Sequence, residues 1–213
     1  MNTNELVDLL ARDAGPVESN ATARRFATAL GWGIFGATLL MAVILGVRRD
    51  LHEAMFLPMF WLKLIFPIIA AFAALYAATR LARPGMRIGH APAVLVTLLL
   101  TLWLAGAVAL MQARPEERDY LIFGHYWSVC PVSITLLSIP IFAASMWAMK
   151  GLAATRPALA GGAAGLLAGS AGAAVYALHC VEMAAPFLAI WYVIGITIPT
   201  TAGVLLGSRI LRW

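Results

Sequence analysis

Six long apolar runs divide the chain, and each is long enough to cross a membrane as a helix. They extend over residues 26–47, 54–79, 92–111, 126–149, 158–178 and 186–210. At about 1.5 Å per residue, each run covers a hydrocarbon core of about 30 Å. Inside lipid the backbone must satisfy its own hydrogen bonds, and the alternating period of barrel strands is absent. The pattern predicts an all-α integral membrane protein with six transmembrane helices in an antiparallel bundle.

A different pattern in the polar segment before the first run predicts a short amphipathic helix over residues 4–14. Three leucines recur there at helical spacing: Leu6, Leu9 and Leu10. The polar face is acidic, with Glu5, Asp8 and Asp13, so anionic lipid would repel it. A groove in a partner protein would suit the leucines, and docking onto the chain's own bundle is the alternative. We therefore divide the chain into residues 1–25 and a membrane domain, residues 26–213.

The composition excludes a water-soluble domain. The 213 residues are 62% hydrophobic and 12% charged, whereas soluble domains average about 45–50% apolar and about 25% charged residues. A net charge of +5 could indicate nucleic-acid binding in a soluble protein. In a membrane protein, however, basic residues chiefly set orientation, and no direct nucleic-acid contact is expected.

The placement of the basic residues predicts that both termini are cytoplasmic. An even number of spans places the termini on one side, and cytoplasmic loops carry an excess of Lys and Arg. The terminal side carries ten such residues: Arg12, Arg24, Arg25, Arg80, Arg83, Arg87, Lys150, Arg156, Arg209 and Arg212. The opposite side carries four: Arg48, Arg49, Arg114 and Arg118. The first outer loop, with Arg48 and Arg49, favours the reverse orientation when it is taken alone.

Glycines inside the spans indicate close helix packing. Residues 31–36 match G-x-G-x-x-G, but a dinucleotide site needs a preceding strand, and the motif lies within a membrane span. Gly161, Gly165 and Gly169 fall on one helix face, which lets another backbone approach. Packing within the bundle is expected for this face, and a homodimer through it is the alternative.

Three residue types could carry chemistry. Lys63 lies deep in a span, where a charge indicates function unless it reaches the surface or a backbone carbonyl. Cys130 begins the fourth span and Cys180 follows the fifth, so both fall on the same side of the membrane. Together with His179 they could form a redox sensor or bind a thiophilic metal. The alternative is that both cysteines are small buried hydrophobic residues.

Several stretches of the chain resemble the NrsF-type proteins of proteobacteria. They are residues 3–13, 16–17, 126–130, 137–140, 155–157 and 176–180. The resemblance covers nearly the whole chain. Pro131 departs from the family pattern, although proline is compatible with the first turn of a helix.

The resemblance implies a six-span anti-sigma factor of the bacterial inner membrane. Such a protein is a negative regulator of an extracytoplasmic-function sigma factor, which its cytoplasmic N-terminal segment keeps from RNA polymerase. The residues placed in these roles are Leu6, Leu9, Leu10 and Asp13 for the partner, and periplasm-facing Cys130 and Cys180 for sensing oxidising or heavy-metal stress.

This interpretation makes the chain a regulatory protein rather than an enzyme. No resident cofactor is expected, except for a thiophilic metal bound transiently by Cys130, Cys180 and His179. A transporter of small solutes or metals is the alternative, but it would require polar groups at mid-depth, which are scarce. A membrane thiol oxidoreductase would usually need a C-x-x-C pair, which the sequence lacks.

Overall fold

The structure, a computed structural model, describes residues 2, 3, 5, 7, 8, 21–152 and 154–212. It contains six helices long and apolar enough to cross a membrane, as the apolar runs predicted. These are α1 (Ala21–Leu45), α3 (Pro58–Leu81), α4 (Ala91–Gln112), α6 (Cys130–Lys150), α7 (Pro157–Tyr176) and α8 (Ala185–Ile210). Two shorter helices, α2 (Leu51–Ala54) and α5 (Pro115–Phe123), lie between spans. Within these residue ranges there is no β-strand.

The bounds of the spans differ from the predicted ones by a few residues. The first helix, Ala21–Leu45, includes Arg24 and Arg25, which an apolar-run criterion excludes. Helix α5 was not predicted, since its residues are too polar to count as a run. Its start nevertheless has a recognisable signature, with Pro115 in the first turn followed by Glu116 and Glu117.

Part of the predicted N-terminal helix can be compared with the structure. Thr3, Glu5, Val7 and Asp8 are helical and exposed, and the backbone N–H of Asn2 donates to the Glu5 carboxylate at 3.0 Å. This contact is one half of a capping box. The four residues predicted to bind a partner lie outside the described residues: Leu6, Leu9, Leu10 and Asp13.

Helix α7 is the central helix of the bundle and packs against α3, α6 and α8. It is the most deeply buried of the six spans, whereas α4 is the least buried. Alanine, glycine and serine make up most of α7, so neighbouring backbones approach it closely.

The predicted glycine stripe on α7 faces α8. A Cβ atom on Gly165 would collide with the Pro199 carbonyl group, and one on Gly161 would collide with the Gly203 carbonyl oxygen. A Cβ on Gly203 would in turn strike the Gly161 carbonyl. Packing within the bundle is thereby confirmed, and α8 covers the face that a homodimer would need.

The G-x-G-x-x-G glycines of α1 also pack against a neighbouring helix, as predicted. A Cβ on Gly33 would lie 2.9 Å from the Ile141 Cα, and one on Gly36 would lie 3.3 Å from the Pro140 Cβ. Gly31 faces open space. Two of the three motif glycines therefore set the distance between α1 and α6.

Two irregular turns stand near the same end of the bundle. Residues Met41–Leu45 of α1 and Leu188–Tyr192 of α8 are π-helical. The hydrogen bonds of each turn therefore span one more residue than those of an α-helix. Gly46 ends α1 in the left-handed region, with φ of 76°.

We expect Gly165→Ala to destabilise the bundle by about 1–3 kcal/mol, because the added methyl group overpacks the α7–α8 contact. The matched control is Gly31→Ala, which faces open space. It should leave stability unchanged or raise it by up to about 1 kcal/mol through helix propensity. Thermal unfolding in detergent micelles measures both. Equal stability of the two variants would contradict this account of the glycine stripe.

Candidate functional site

Both cysteines lie at one end of the bundle, here called the cysteine end. Cys130 is the first residue of α6, and Cys180 lies in the loop between α7 and α8. Their exposed fractions are 0% and 2%, both thiols are free, and both belong to one hydrophobic cluster. The fold therefore brings together two residues that are separated along the chain by a whole membrane hairpin.

The two thiols share buried aromatic neighbours. The Tyr176 side chain lies close to Cys130, Cys180 and Ser133. The Tyr192 hydroxyl is buried without a hydrogen-bond partner, and Cys180 lies close to it. The two thiols therefore share the same buried tyrosine neighbours.

Lys63 reaches this cluster from α3. Its side chain is fully buried, and its ammonium donates to the backbone carbonyl of Cys180 at 2.6 Å and to that of Glu182 at 2.7 Å. The nitrogen also lies 5.5 Å from the ring centroid of Tyr192, within the range of a cation–π contact. Of the interpretations open from sequence, the structure shows the backbone-carbonyl partner. These carbonyls can accept hydrogen bonds from Lys63 because they lie in a loop, where no helical backbone hydrogen bond uses them.

Arg48 approaches the same loop from the end of α1. Its guanidinium donates to both Asp50 carboxylate oxygens, at 2.8 and 2.6 Å, and to the Cys180 carbonyl at 3.4 Å. Its backbone N–H donates to the Leu178 carbonyl at 3.2 Å. The hydrogen bond from Arg48 lowers the pKa of Asp50 to about 2, and the same contact raises the pKa of Arg48. Asp50 is therefore ionised throughout the physiological pH range, and the pair does not titrate there.

Glu182 and His179 tie the loop to two further segments. The Glu182 carboxylate accepts the backbone N–H of His125 at 2.8 Å, and it packs against Gly124, where a Cβ would lie 2.7 Å from its carboxyl carbon. Nδ1 of His179 lies 2.8 Å from the Gly46 carbonyl. Because a carbonyl only accepts, this nitrogen carries the proton.

Residues 178–182, here called the cysteine loop, are thus held by α1, α3 and the segment before α6. The sequence patterns did not single out Asp50, Tyr176, Tyr192 or Glu182 for this site, and they used Arg48 only to predict orientation. The only signal available in the sequence was that Arg48, Asp50 and Glu182 are charged residues just outside the spans. That position does not show which groups they contact.

The metal set of Cys130, Cys180 and His179 is not assembled in this arrangement. Among the described residues, no three His, Cys, Asp or Glu side chains are grouped to hold a metal ion. One ring nitrogen of His179 is engaged by Gly46. Transient binding of a thiophilic metal, which would require the loop to rearrange, stays a prediction.

A cavity of about 400 Å³ lies beside the cysteine loop. Its lining includes Arg48, Arg49, Asp50, Tyr126, His179 and Cys180. The exposed residues Val47, Tyr126 and Val181 also border it, so it communicates with the surface. Cys130 does not line this cavity.

Comparison with known proteins gives the family. The model of the NrsF family, described as negative regulator of sigma F, matches residues 10–213. The chain belongs to the NrsF family. This membership confirms the resemblance drawn from the sequence.

Two curated NrsF relatives match the chain from end to end. The "Probable anti-sigma-F factor NrsF" of Azospira oryzae is 50% identical over 213 residues, and the match covers 100% of both chains. The "Anti-sigma-F factor NrsF" of Caulobacter vibrioides is 36% identical over 225 residues, again with 100% of both chains covered. No solved structure matches the chain.

We expect Lys63→Met to lower the stability of the folded chain by about 1–3 kcal/mol, because the Glu182 carbonyl and most of the Cys180 carbonyl's bonding would be left unsatisfied. The matched control is Leu62→Met on the exposed side of the same helix, which should be close to neutral. Thermal unfolding in detergent compares them. A Lys63→Met protein as stable as its control would show that the ammonium is dispensable.

Proposed function

We propose that the chain is a membrane anti-sigma factor that binds a sigma factor and releases it when Cys130 and Cys180 react with an oxidant or a thiophilic metal. The observation that carries the proposal is the end-to-end similarity to two proteins named anti-sigma-F factor. In this role the chain is a regulatory binding protein, and its partner belongs to the extracytoplasmic-function class. RNA polymerase cannot use the sigma factor while the chain holds it.

The N-terminal segment is the proposed binding site for the sigma factor. Its predicted helix places Leu6, Leu9 and Leu10 at the spacing of an apolar face, with Asp13 at its end. Glu5 and Asp8 are exposed, so the polar face repels anionic lipid and remains free for a protein partner. Binding of this kind would bring the sigma factor to the membrane surface.

We place both termini in the cytoplasm of a bacterium and the cysteine end in the periplasm. The excess of basic residues on the terminal side supports this orientation. Arg48 is buried in contacts with Asp50 and the cysteine loop, so its place on the outer side has a structural cause. An oxidising periplasm would permit a disulfide between the two cysteines.

The contacts of α1 support a route from the cysteines to the N-terminal segment. Arg48 and Gly46, at one end of α1, both bind the cysteine loop. Ala21, at the other end, lies within the N-terminal segment of residues 1–25. A reaction at Cys180 that alters these contacts would therefore act on α1, which the chain connects to the proposed sigma-binding residues.

The energy that such coupling requires is small. A stimulus shifts a two-state equilibrium only by its differential affinity for the two states. A tenfold release of the partner needs about 1.4 kcal/mol, which is comparable to the loss of one hydrogen bond to a charged group.

A transporter has less support. The buried side chains with polar groups in the described spans are serines, Lys63, Tyr176 and Tyr192, and Lys63 is already engaged by two carbonyls. A transport pathway usually needs polar groups near the middle of the bilayer.

Capture of the sigma factor tests the proposed binding site. A tagged chain in detergent extracts should retain an extracytoplasmic-function sigma factor, and Leu6→Asp with Leu10→Asp should release it. Burial of each leucine is worth about 1.5–3 kcal/mol, so affinity should fall by roughly two to four orders of magnitude. Asn2→Asp with Asn20→Asp adds the same charge outside the predicted helix and should retain the sigma factor. Equal retention by the two double variants would place the binding site elsewhere.

The cysteine variants test the sensing role. Cys130→Ser, Cys180→Ser and the double variant should each abolish the rise in sigma-dependent transcripts after peroxide or a cadmium-like metal. Because the two thiols are proposed to act as a pair, the double variant should match either single one. Ser133→Ala, a neighbouring change that keeps both thiols, should respond normally. A normal response in both single variants would make the cysteines packing residues.

A further inference from the structure

The two thiols differ in their access to reagents. Cys180 lines the cavity beside the cysteine loop, whereas Cys130 does not. Cys130 is fully buried in the first turn of α6, within the hydrophobic cluster. A reagent that enters by the cavity therefore encounters Cys180 before it can encounter Cys130.

The surroundings of the cavity favour small polar reagents. Arg48, Arg49 and His179 supply polar groups at its lining, and Tyr126 stands at its exposed border. Lys63 is close enough to both cysteines to interact with a charge on either sulfur, and Arg48 adds a second such cation near Cys180. Reaction at this thiol would thus occur beside two cations, which favour a developing negative charge.

We infer that Cys180 is the thiol that is oxidised first and that Cys130 is the thiol that resolves the product into a disulfide. The inference rests on the proposed function and adds a direction to it. The oxidant class is a small hydroperoxide, here represented by hydrogen peroxide.

The two steps balance as follows. The Cys180 sulfur attacks one peroxide oxygen, the O–O bond breaks, and the products are a sulfenic acid and one water molecule. The Cys130 sulfur then attacks the Cys180 sulfur, an S–S bond forms, and the sulfenic oxygen leaves as a second water. Two electrons pass from the two thiols to the peroxide, and the two thiol protons end in water.

The local structure suits this division of roles. Cys180 lies in the loop that follows α7, where its N–H donates to the Tyr176 carbonyl at 3.0 Å, and Cys130 is the first residue of α6, where its N–H donates to the Tyr126 carbonyl at 2.9 Å. Cys130, Tyr176 and Cys180 belong to one buried cluster, and the Tyr176 side chain lies close to both cysteines, so the two thiols share one neighbour. Movement of Cys180 toward Cys130 would also pull on the carbonyl that Lys63 and Arg48 hold.

The test compares single-thiol chains in native membranes. Cys130→Ser keeps only Cys180, and Cys180→Ser keeps only Cys130. Each is treated with hydrogen peroxide in the presence of dimedone, and the sulfenic-acid adduct is measured over time by mass spectrometry. We expect the adduct to form at Cys180 at least about tenfold faster, because a thiol without an access route reacts only through local opening.

Two substitutions of exposed valines test whether the oxidant enters through the cavity, both made in the Cys130→Ser chain. Val47→Trp fills the border of the cavity and should slow labelling of Cys180 several-fold. Val129→Trp is the matched control, since Val129 is equally exposed but borders Cys130 along the chain and not the cavity. It should leave the rate unchanged. Slowing by Val129→Trp alone would place the entry beside Cys130.

Equal rates at the two thiols, or faster reaction at Cys130, would overturn the inference. So would the absence of adduct at Cys180 in membranes when denaturation in SDS reveals a free thiol. Failure of the proposed function has a different readout. If Cys180 reacts first as expected while sigma-dependent transcripts do not change, the order of reaction stands and the regulatory role does not.

Discussion

The arrangement of the cysteine end depends on one buried charge. Lys63 carries an ammonium into an apolar bundle, where an unpaired charge would be costly. Two carbonyls of the cysteine loop accept hydrogen bonds from this ammonium. The loop thereby stabilises the buried charge, and the charge holds the loop in place. Arg48 adds a second cation to the Cys180 carbonyl from a different segment. The loop between α7 and α8 is therefore held by electrostatic contacts, although it lies at the edge of a hydrophobic bundle.

The rest of the bundle is held by close packing of backbones. Gly161, Gly165 and Gly203 let α7 and α8 meet without intervening side chains, and such contacts do not adapt smoothly to a shift. The α7–α8 contact and the cysteine loop are consequently stabilised by different kinds of interaction. The α7–α8 pair is held by close backbone contacts, while the cysteine loop is held by a few polar bonds that a local chemical change can break. A regulatory event is easier to accommodate at the second than at the first.

The sequence predicts those features that are set by local pattern. Span number, the packing role of Gly33 and Gly165, and the common side of Cys130 and Cys180 all follow from spacing and hydrophobicity. The partners of Lys63 do not, because a backbone carbonyl is present at every residue and only the loop's path decides which ones are free. The Arg48–Asp50 pair and the contact of Glu182 with Gly124 depend on that path too. Helix α5 escaped prediction because it is polar and short.

The π-helical turns of α1 and α8 allow a change of register close to the cysteine loop. Each turn contains a residue in excess of the regular helical pattern. If the excess residue moved along α1, the stretch it passed would turn by about 100° and shift by about 1.5 Å, the step of one helical residue. Helical hydrogen bonds would be exchanged rather than lost. A small displacement at Gly46 could thus become a rotation of one face of α1 against α6.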